Sequence, residues 1–170
     1  MDFDAAFARL IDVEKGFQQD PRDRGNWTGG EIGKGVCKGT KYGISAASYP
    51  GEDIEHLTLD RAKQIARRDF WGPAGCDAVP DAIKFDLFDM AYNAGVKPAV
   101  KCVQHACGAI EDGVLGPTTL QMLSTTPLAR LLFRFEAARL VRTTELDDQR
   151  WLAFGRGLIR RIATNMSALA

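Results

Sequence analysis

The sequence lacks any apolar run long enough for a transmembrane helix, so we predict that no segment crosses a membrane. It also lacks a net charge, because 22 Lys and Arg residues are matched by 22 Asp and Glu residues. Without a basic excess there is no electrostatic footprint of a nucleic-acid-binding protein, and we predict no nucleic-acid partner. The N-terminus is acidic where a signal peptide is basic, which predicts a protein that is cytoplasmic in the cell that makes it.

Cysteine and histidine are scarce, with four and two residues respectively. Cys102, His105 and Cys107 have the composition of a metal site, but helical offsets of three and five residues scatter these side chains around the axis. No paired C-x-x-C motif lies elsewhere, so we predict no metal and no cofactor. Five helical residues span about 7.5 Å, which exceeds the usual Cα separation of about 7 Å in a disulfide. We therefore expect free thiols.

Helical periodicity accounts for most of the chain. A helix from Pro80 to Gly95 is apolar nearly all round, which predicts a buried central helix. The segment T-K-Y-G-I-S places Thr40, Tyr42 and Ile44 on one side and predicts a short strand. Further helices are predicted at residues 3–14, 58–71, 98–107, 127–145 and 147–165, and one that Pro117 opens. The fold class is therefore mainly α, with one small irregular or β-containing lobe.

A glycine-rich loop follows the first helix, with five glycines between Gly29 and Gly39. A phosphate-binding P-loop requires G-x-x-x-x-G-K-[ST], whereas only three residues separate Gly29 from Gly33, and Lys34 is followed by glycine. The loop is therefore a plain surface excursion or the rim of a catalytic cleft.

Two carboxylates flank the start of this loop. Glu14 lies at the end of the amphipathic first helix, and Asp23 follows nine residues later, beyond a turn rich in Pro and Asp. Hydrolysis of a glycosidic bond needs one carboxylic acid to protonate the leaving oxygen and a second group to steer water or stabilise charge. An Asp in a turn is also a common turn residue, so composition alone leaves both interpretations open.

The order E-x-G-F-x-x-D-P-x-D-x-G-x-x-T followed by G-T-K-Y-G-I-S resembles the signature of the glycoside hydrolase 108 family. Later segments, F-D-M-A-Y-N-A-G among them, resemble the same family, and the resemblance covers about residues 7–165. It implies an N-acetylmuramidase with a lysozyme-like α+β fold: a helical bundle around a buried central helix, with a small β lobe. It also implies a catalytic region at residues 1–95 and a helical peptidoglycan-binding region at residues 96–170, packed together as one compact unit.

Carried over by position, the resemblance implies that Glu14 is the catalytic acid and that Asp23 and Thr40 are catalytic partners. The family's E-G-G-Y reads E-K-G-F here, which keeps the acid but removes a tyrosine hydroxyl. A longer loop, N-W-T-G-G-E-I-G-K-G-V-C-K, separates Asp23 from Thr40, which leaves open whether Thr28 or Thr40 faces the water.

Candidate substrate-binding residues lie in both halves of the chain. Trp27, Tyr42 and Tyr49 are candidates to stack on sugar faces, with packing of the small lobe as the equal alternative. Asp89 and Asn93 are polar on an apolar helix and need partners, either a structural hydrogen-bond network or a sugar. The remaining candidates are Thr28 and Tyr92.

The sequence therefore predicts a peptidoglycan hydrolase that cleaves the β-1,4 bond after N-acetylmuramic acid, with inversion at the anomeric carbon. We expect a monomeric endolysin that acts on the cell wall of a host after release; a muramidase that loosens the wall for protein export is an alternative. Chitinase-like specificity and a glycan-binding protein without activity are further alternatives. The basic C-terminal helix, with Arg156, Arg160 and Arg161, is interpreted as a solvated face, and wall or membrane contact comes second.

Overall fold

The computed structural model describes residues 1–13, 16–146 and 151–167, so Glu14 and Lys15 lie outside the described residues. The chain divides into two compact units. The N-terminal unit holds residues 2–69, and the C-terminal unit holds residues 70–170 together with Met1. This division places the helix that precedes residue 95 with the helices that follow it. The assignment of a catalytic region to residues 1–95 and a wall-binding region to residues 96–170 stays a prediction.

In its described residues, the N-terminal unit contains two α-helices, a short 3-10 helix (Arg24–Asn26) and a small hairpin. Helix α1 (Phe3–Val13) begins after Asp2, whose Oδ1 accepts a hydrogen bond from the Ala5 amide at 2.9 Å. Helix α2 (Leu59–Ala66) begins after Thr58, whose hydroxyl caps it, and it continues as a π-helical turn (Arg67–Trp71). Side-chain caps of this kind satisfy amides that have no partner within a helix.

The segment predicted as one strand is a hairpin instead. Strands β1 (Thr40–Lys41) and β2 (Ile44–Ser45) pair antiparallel, and Tyr42 and Gly43 form the two-residue loop. Both loop residues have positive φ, 52° for Tyr42 and 79° for Gly43, as a type I′ turn requires. The prediction that Thr40, Tyr42 and Ile44 lie on one side of a single strand was wrong, because the chain reverses direction at Tyr42 and Gly43.

Within the described residues, the C-terminal unit is a bundle of five helices: α3 (Asp81–Ala94), α4 (Val96–Cys107), α5 (Pro117–Thr125), α6 (Leu128–Thr144) and α7 (Arg156–Ser167). Its core surrounds α3. Helix α4 packs against α3 and α6, and α6 also packs against α7. In helix α3, Ile83 and every residue from Phe85 to Tyr92 are buried, which confirms the predicted central helix. The mainly α fold class with a small β-containing lobe is also confirmed. A π-helical turn (Trp151–Gly155) precedes α7.

The local signals set most of these bounds. Gly95, at φ 95°, ends α3, and Gly108, at φ 80°, ends α4. Pro117 opens α5 at a position where its missing amide costs no hydrogen bond. The last helix was predicted at residues 147–165, and its predicted start lies outside the described residues, because the structure does not describe residues 147–150.

A buried ion network links three helices of this unit. Arg139 of α6 is 3% exposed and binds Asp86 at 2.9 Å and Asp89 at 2.8 Å, both on α3. It also binds Glu136, one turn earlier on α6, at 2.9 Å. Arg161 of α7 pairs with the other oxygen of Asp89. From the sequence we interpreted Arg161 as part of a solvated face. The structure corrects this, because Arg161 is part of the buried network.

Burial raises the pKa of Glu136 from 4.5 to about 7, against the opposing effect of Arg139. Asp86 and Asp89 add to the rise because they bring negative charge to the same site. The folded state therefore binds the Glu136 proton more tightly than the unfolded state. This contribution to stability is complete below pH 4.5 and is lost as the pH rises through about 7.

All four cysteines are unbridged, and Cys102 and Cys107 both lie on α4. Burial raises the pKa of the Cys102 thiol to about 11 and that of Cys76 to about 12, which keeps these thiols protonated at neutral pH. Within the described residues, no helix combines the length and the apolar composition needed to span a bilayer.

We expect Glu136→Gln to remove the pH dependence that Glu136 imposes on unfolding. Between pH 5 and pH 8 the wild-type protein should lose about 2–3 kcal/mol of unfolding free energy relative to the variant, given 1.36 kcal/mol per pKa unit. Urea denaturation at both pH values, followed by circular dichroism, measures this difference.

Glu145→Gln is the matched control, because Glu145 ends the same helix but its side chain is 55% exposed. The free energy of unfolding of Glu145→Gln should depend on pH in the same way as that of the wild type. An unchanged pH dependence in Glu136→Gln would show that Glu136 is ionised in the fold at all pH values tested.

Candidate active site

Gln18 links Asp23 and Thr40 by hydrogen bonds. Asp23 Oδ1 accepts from the Gly25 amide at 2.9 Å, and Oδ2 accepts from Gln18 Nε2 at 3.4 Å. The backbone of Gln18 exchanges two hydrogen bonds with Thr40, of 2.9 and 2.8 Å. A residue 22 positions later in the chain is thereby held beside the segment that carries Asp23.

Asn26 joins the same residues from the inside. Its side chain is fully buried. Its Nδ2 donates to Gln18 Oε1 and to the Asp20 carbonyl, each at 2.9 Å. Its Oδ1 accepts from Thr40 Oγ1 at 2.7 Å. A continuous hydrogen-bonded chain therefore runs from Asp23 through Gln18 and Asn26 to Thr40.

The glycine-rich loop folds into a hairpin-like excursion, residues 27–38, which we call the finger. Trp27 and Cys37 form an antiparallel bridge at its base. The carbonyl of Asn26 accepts from the Lys38 and Gly39 amides at 2.8 and 3.1 Å and closes that base. The long loop thus returns to its starting point, so Thr40 lies near Asp23 despite the intervening residues.

Glycine is needed where the finger makes close contacts. Gly35 has φ 81°, and a Cβ there would lie 2.2 Å from Thr28 Oγ1. Gly39 has φ 87°, and a Cβ there would lie 2.5 Å from the Gln18 carbonyl oxygen. These positions tolerate no side chain, so the glycines serve the fold of the loop itself.

Thr28 and Thr40 have different surroundings. Thr28 Oγ1 accepts from the Val36 amide at 3.0 Å, within the finger. Thr40 Oγ1 belongs to the chain that reaches Asp23. The structure therefore brings Thr40, rather than Thr28, into connection with Asp23.

The three aromatic candidates of this unit are half-buried and polar at their edges. Trp27 Nε1 donates to the Pro21 carbonyl at 2.9 Å. Tyr42 occupies the hairpin turn, and Lys41 Nζ lies 5.6 Å from its ring centroid. Tyr49 donates its hydroxyl to Asp69 at 2.9 Å, and burial raises its pKa. Sugar stacking by these rings stays a prediction.

The other candidates lie on α3 in the C-terminal unit. Asp89 is 1% exposed, with its oxygens bound by the network around Arg139, so the partners that its burial demanded are present. Asn93 is exposed and donates to the Asp89 backbone carbonyl at 2.8 Å. Tyr92 is 9% exposed, with its ring centroid 4.8 Å from that of Phe70. A role in sugar contact stays a prediction for all three.

Gln18 and Asn26 were not recognised from the sequence. An Asn beside Gly is typical of a turn, and Gln18 sits in a polar stretch without periodicity. Among the described residues, no group of three or more His, Cys, Asp or Glu side chains is arranged to hold a metal ion. The candidate residues that the structure links are the half-buried carboxylate of Asp23, which accepts hydrogen bonds, and the hydroxyl of Thr40, which can both donate and accept.

Comparison with models of protein families matches residues 7–95, just over half of the chain, to the family described as Glycosyl hydrolase 108. Among solved structures, the chain is similar to one described as the structure of Brucella abortus SagA, with a TM-score of 0.81 and 26% sequence identity. That alignment covers 98% of this chain and 92% of the other. No curated protein matches the chain significantly.

Proposed function

This chain belongs to the glycosyl hydrolase 108 family, and we propose that it cleaves the β-1,4 bond between N-acetylmuramic acid and N-acetylglucosamine. As a family member it is a glycoside hydrolase, and its substrate is peptidoglycan. The proposal concerns the bond that is cut, the residues that cut it and the setting in which they act.

The observation that carries the proposal is the hydrogen-bonded chain from Asp23 to Thr40. Both residues fall within the matched range of residues 7–95. Asp23 offers a carboxylate oxygen and Thr40 a hydroxyl oxygen, each half-buried and held by Gln18 and Asn26. Such a pair is suited to orient a water molecule for attack on the anomeric carbon.

Glu14 is the proposed general acid. It lies outside the described residues, so its role rests on its position one residue past α1 and on the family motif. The leaving oxygen takes the Glu14 proton as the glycosidic C–O bond breaks, while the water oxygen bonds to the anomeric carbon and Asp23 accepts a water proton. Attack by water on the opposite face inverts that carbon.

The biological setting is proposed on the same footing. One setting is a phage endolysin that is stored in the cytoplasm and released to lyse the host. A bacterial muramidase that opens the wall for protein export uses the same chemistry. We also propose a monomer in which residues 96–170 bind peptidoglycan.

We expect Glu14→Gln to abolish cleavage with the fold intact, because the change is nearly isosteric and removes only the titrating proton. Release of soluble muropeptides from purified sacculi measures turnover, and circular dichroism checks the fold. Glu31→Gln is the matched control, since it removes an exposed carboxylate that pairs with Lys34 on the finger. Turnover of Glu14→Gln within tenfold of the wild type would exclude Glu14 as the acid.

We also expect the reaction to invert the anomeric configuration. An inverting pair of carboxyl groups leaves roughly 6.5–9.5 Å for a water, whereas a nucleophile must lie about 5–5.5 Å from the acid. Asp23 caps a short 3-10 helix (Arg24–Asn26) and is half-exposed, which suits a base that works through water. Proton NMR of the first products from soluble glycan strands should show the α-anomer; an initial β-anomer contradicts this mechanism.

A further inference from the structure

The hydrogen bonds around Asn26 have a fixed direction. The Asp20 carbonyl can only accept, so the Asn26 atom 2.9 Å from it must be the donor Nδ2. The acceptor Oδ1 consequently faces Thr40, at 2.7 Å. The one proton of the Thr40 hydroxyl is therefore directed at Asn26, and its lone pairs remain for another partner.

Gln18 is oriented by the same logic. The Asp20 amide can only donate, and it lies 3.3 Å from Gln18 Oε1. The donor Nε2 of Gln18 therefore faces Asp23 Oδ2 and Asn26 Oδ1, at 3.4 and 3.2 Å. The backbone of Asp20 thus sets the direction of both side-chain amides.

We propose that Asn26 is a positioning residue that makes Thr40 a pure hydrogen-bond acceptor toward the attacking water. This inference rests on the proposed function, in which Asp23 and Thr40 hold that water. A water that donates one hydrogen to the Asp23 carboxylate and the other to Thr40 Oγ1 keeps a lone pair free for the anomeric carbon. If Thr40 donated to the water instead, it would occupy one of the two lone pairs of the water oxygen and make that oxygen a weaker nucleophile.

Burial holds the Asn26 side-chain amide in this orientation. The side chain is fully buried and its donors and acceptor all have partners, so rotation of the amide would place Oδ1 against the Asp20 carbonyl. Two like acceptors in contact within a buried site are strongly disfavoured. The hydroxyl direction of Thr40 is thereby determined before substrate binds.

A double-mutant cycle on kcat tests the role. With dye-labelled purified sacculi, Asn26→Ala should lower kcat by about 10- to 100-fold, the scale expected for misplaced reactants, with a smaller change in KM. Thr40→Val should lower kcat similarly. In the Thr40→Val background, Asn26→Ala should cost no more than a further factor of about 2, because its effect passes through the missing hydroxyl.

Gln19→Ala is the matched control. Gln19 Nε2 donates to the Cys37 carbonyl at 2.6 Å, so it also ties down the finger, and among the described residues its side chain has no hydrogen bond to Asp23 or Thr40. Its kcat should equal that of the wild type. An equal loss in Gln19→Ala and Asn26→Ala would overturn the proposal, because closure of the finger would then explain both.

Thermal unfolding by circular dichroism shows whether Asn26→Ala folds. If it does not, Asn26→Asp replaces it in the cycle, since a protonated Asp can donate to the Asp20 carbonyl and accept from Thr40. Activity of Asn26→Asp should then return as the pH falls, and should stay low if Asn26 does not act in this way.

The outcomes separate this inference from the proposed function. Multiplicative losses in Asn26→Ala and Thr40→Val, with Glu14→Gln inactive, overturn the inference and leave the proposed hydrolysis standing. Wild-type kcat in Thr40→Val overturns both the role of Thr40 in the mechanism and the inference built on it. Activity in Glu14→Gln overturns the proposed mechanism at its first step.

Discussion

The buried side-chain amide of Asn26 is the constraint on which the candidate active site of the N-terminal unit depends. A fully buried amide has two hydrogens and an acceptor oxygen to satisfy, and each unmet bond costs free energy. Asn26 meets these needs with Gln18, the Asp20 carbonyl and Thr40, while its own carbonyl closes the finger. Satisfying one buried residue therefore places Asp23 and Thr40 in connection across a long loop.

The C-terminal unit contains a second polar centre of the same kind. Arg139 is 3% exposed, and the carboxylates of α3 supply its partners, while Arg161 from α7 completes the pairing of Asp89. Isolated charges in such a site are costly, so the network specifies how α3, α6 and α7 face one another. Glu136 brings a third carboxyl group. Burial raises its pKa, and the negative charges of Asp86 and Asp89 raise it further.

The sequence predicted those features that depend on nearby residues. Thr58, Gly95 and Pro117 mark helix ends by their own backbone and side-chain chemistry, and the structure places the ends there. The hairpin was missed because Tyr42-Gly43 is a weak turn signal, and its geometry requires positive φ at a tyrosine.

The features that the sequence did not predict depend on long-range pairing. Arg161 and Asp89 are 72 positions apart, and periodicity alone assigned Arg161 to the solvent. Asn26 has the composition of a turn residue, and its hydrogen bond to Thr40, 14 positions away, is what reveals its role. The order of residues in a motif was enough to predict Asp23 and Thr40 as site residues. Gln18 and Asn26, whose side chains orient them, could be identified only in the folded structure.

The central claim is that this family member cuts after N-acetylmuramic acid, and the new reducing ends test it directly. Purified sacculi are digested with the wild-type protein, reduced with borohydride and analysed by mass spectrometry. The account predicts new ends that carry reduced N-acetylmuramic acid and are absent from a digest with Glu14→Gln. New ends at N-acetylglucosamine, or no new ends with a folded protein, would contradict it.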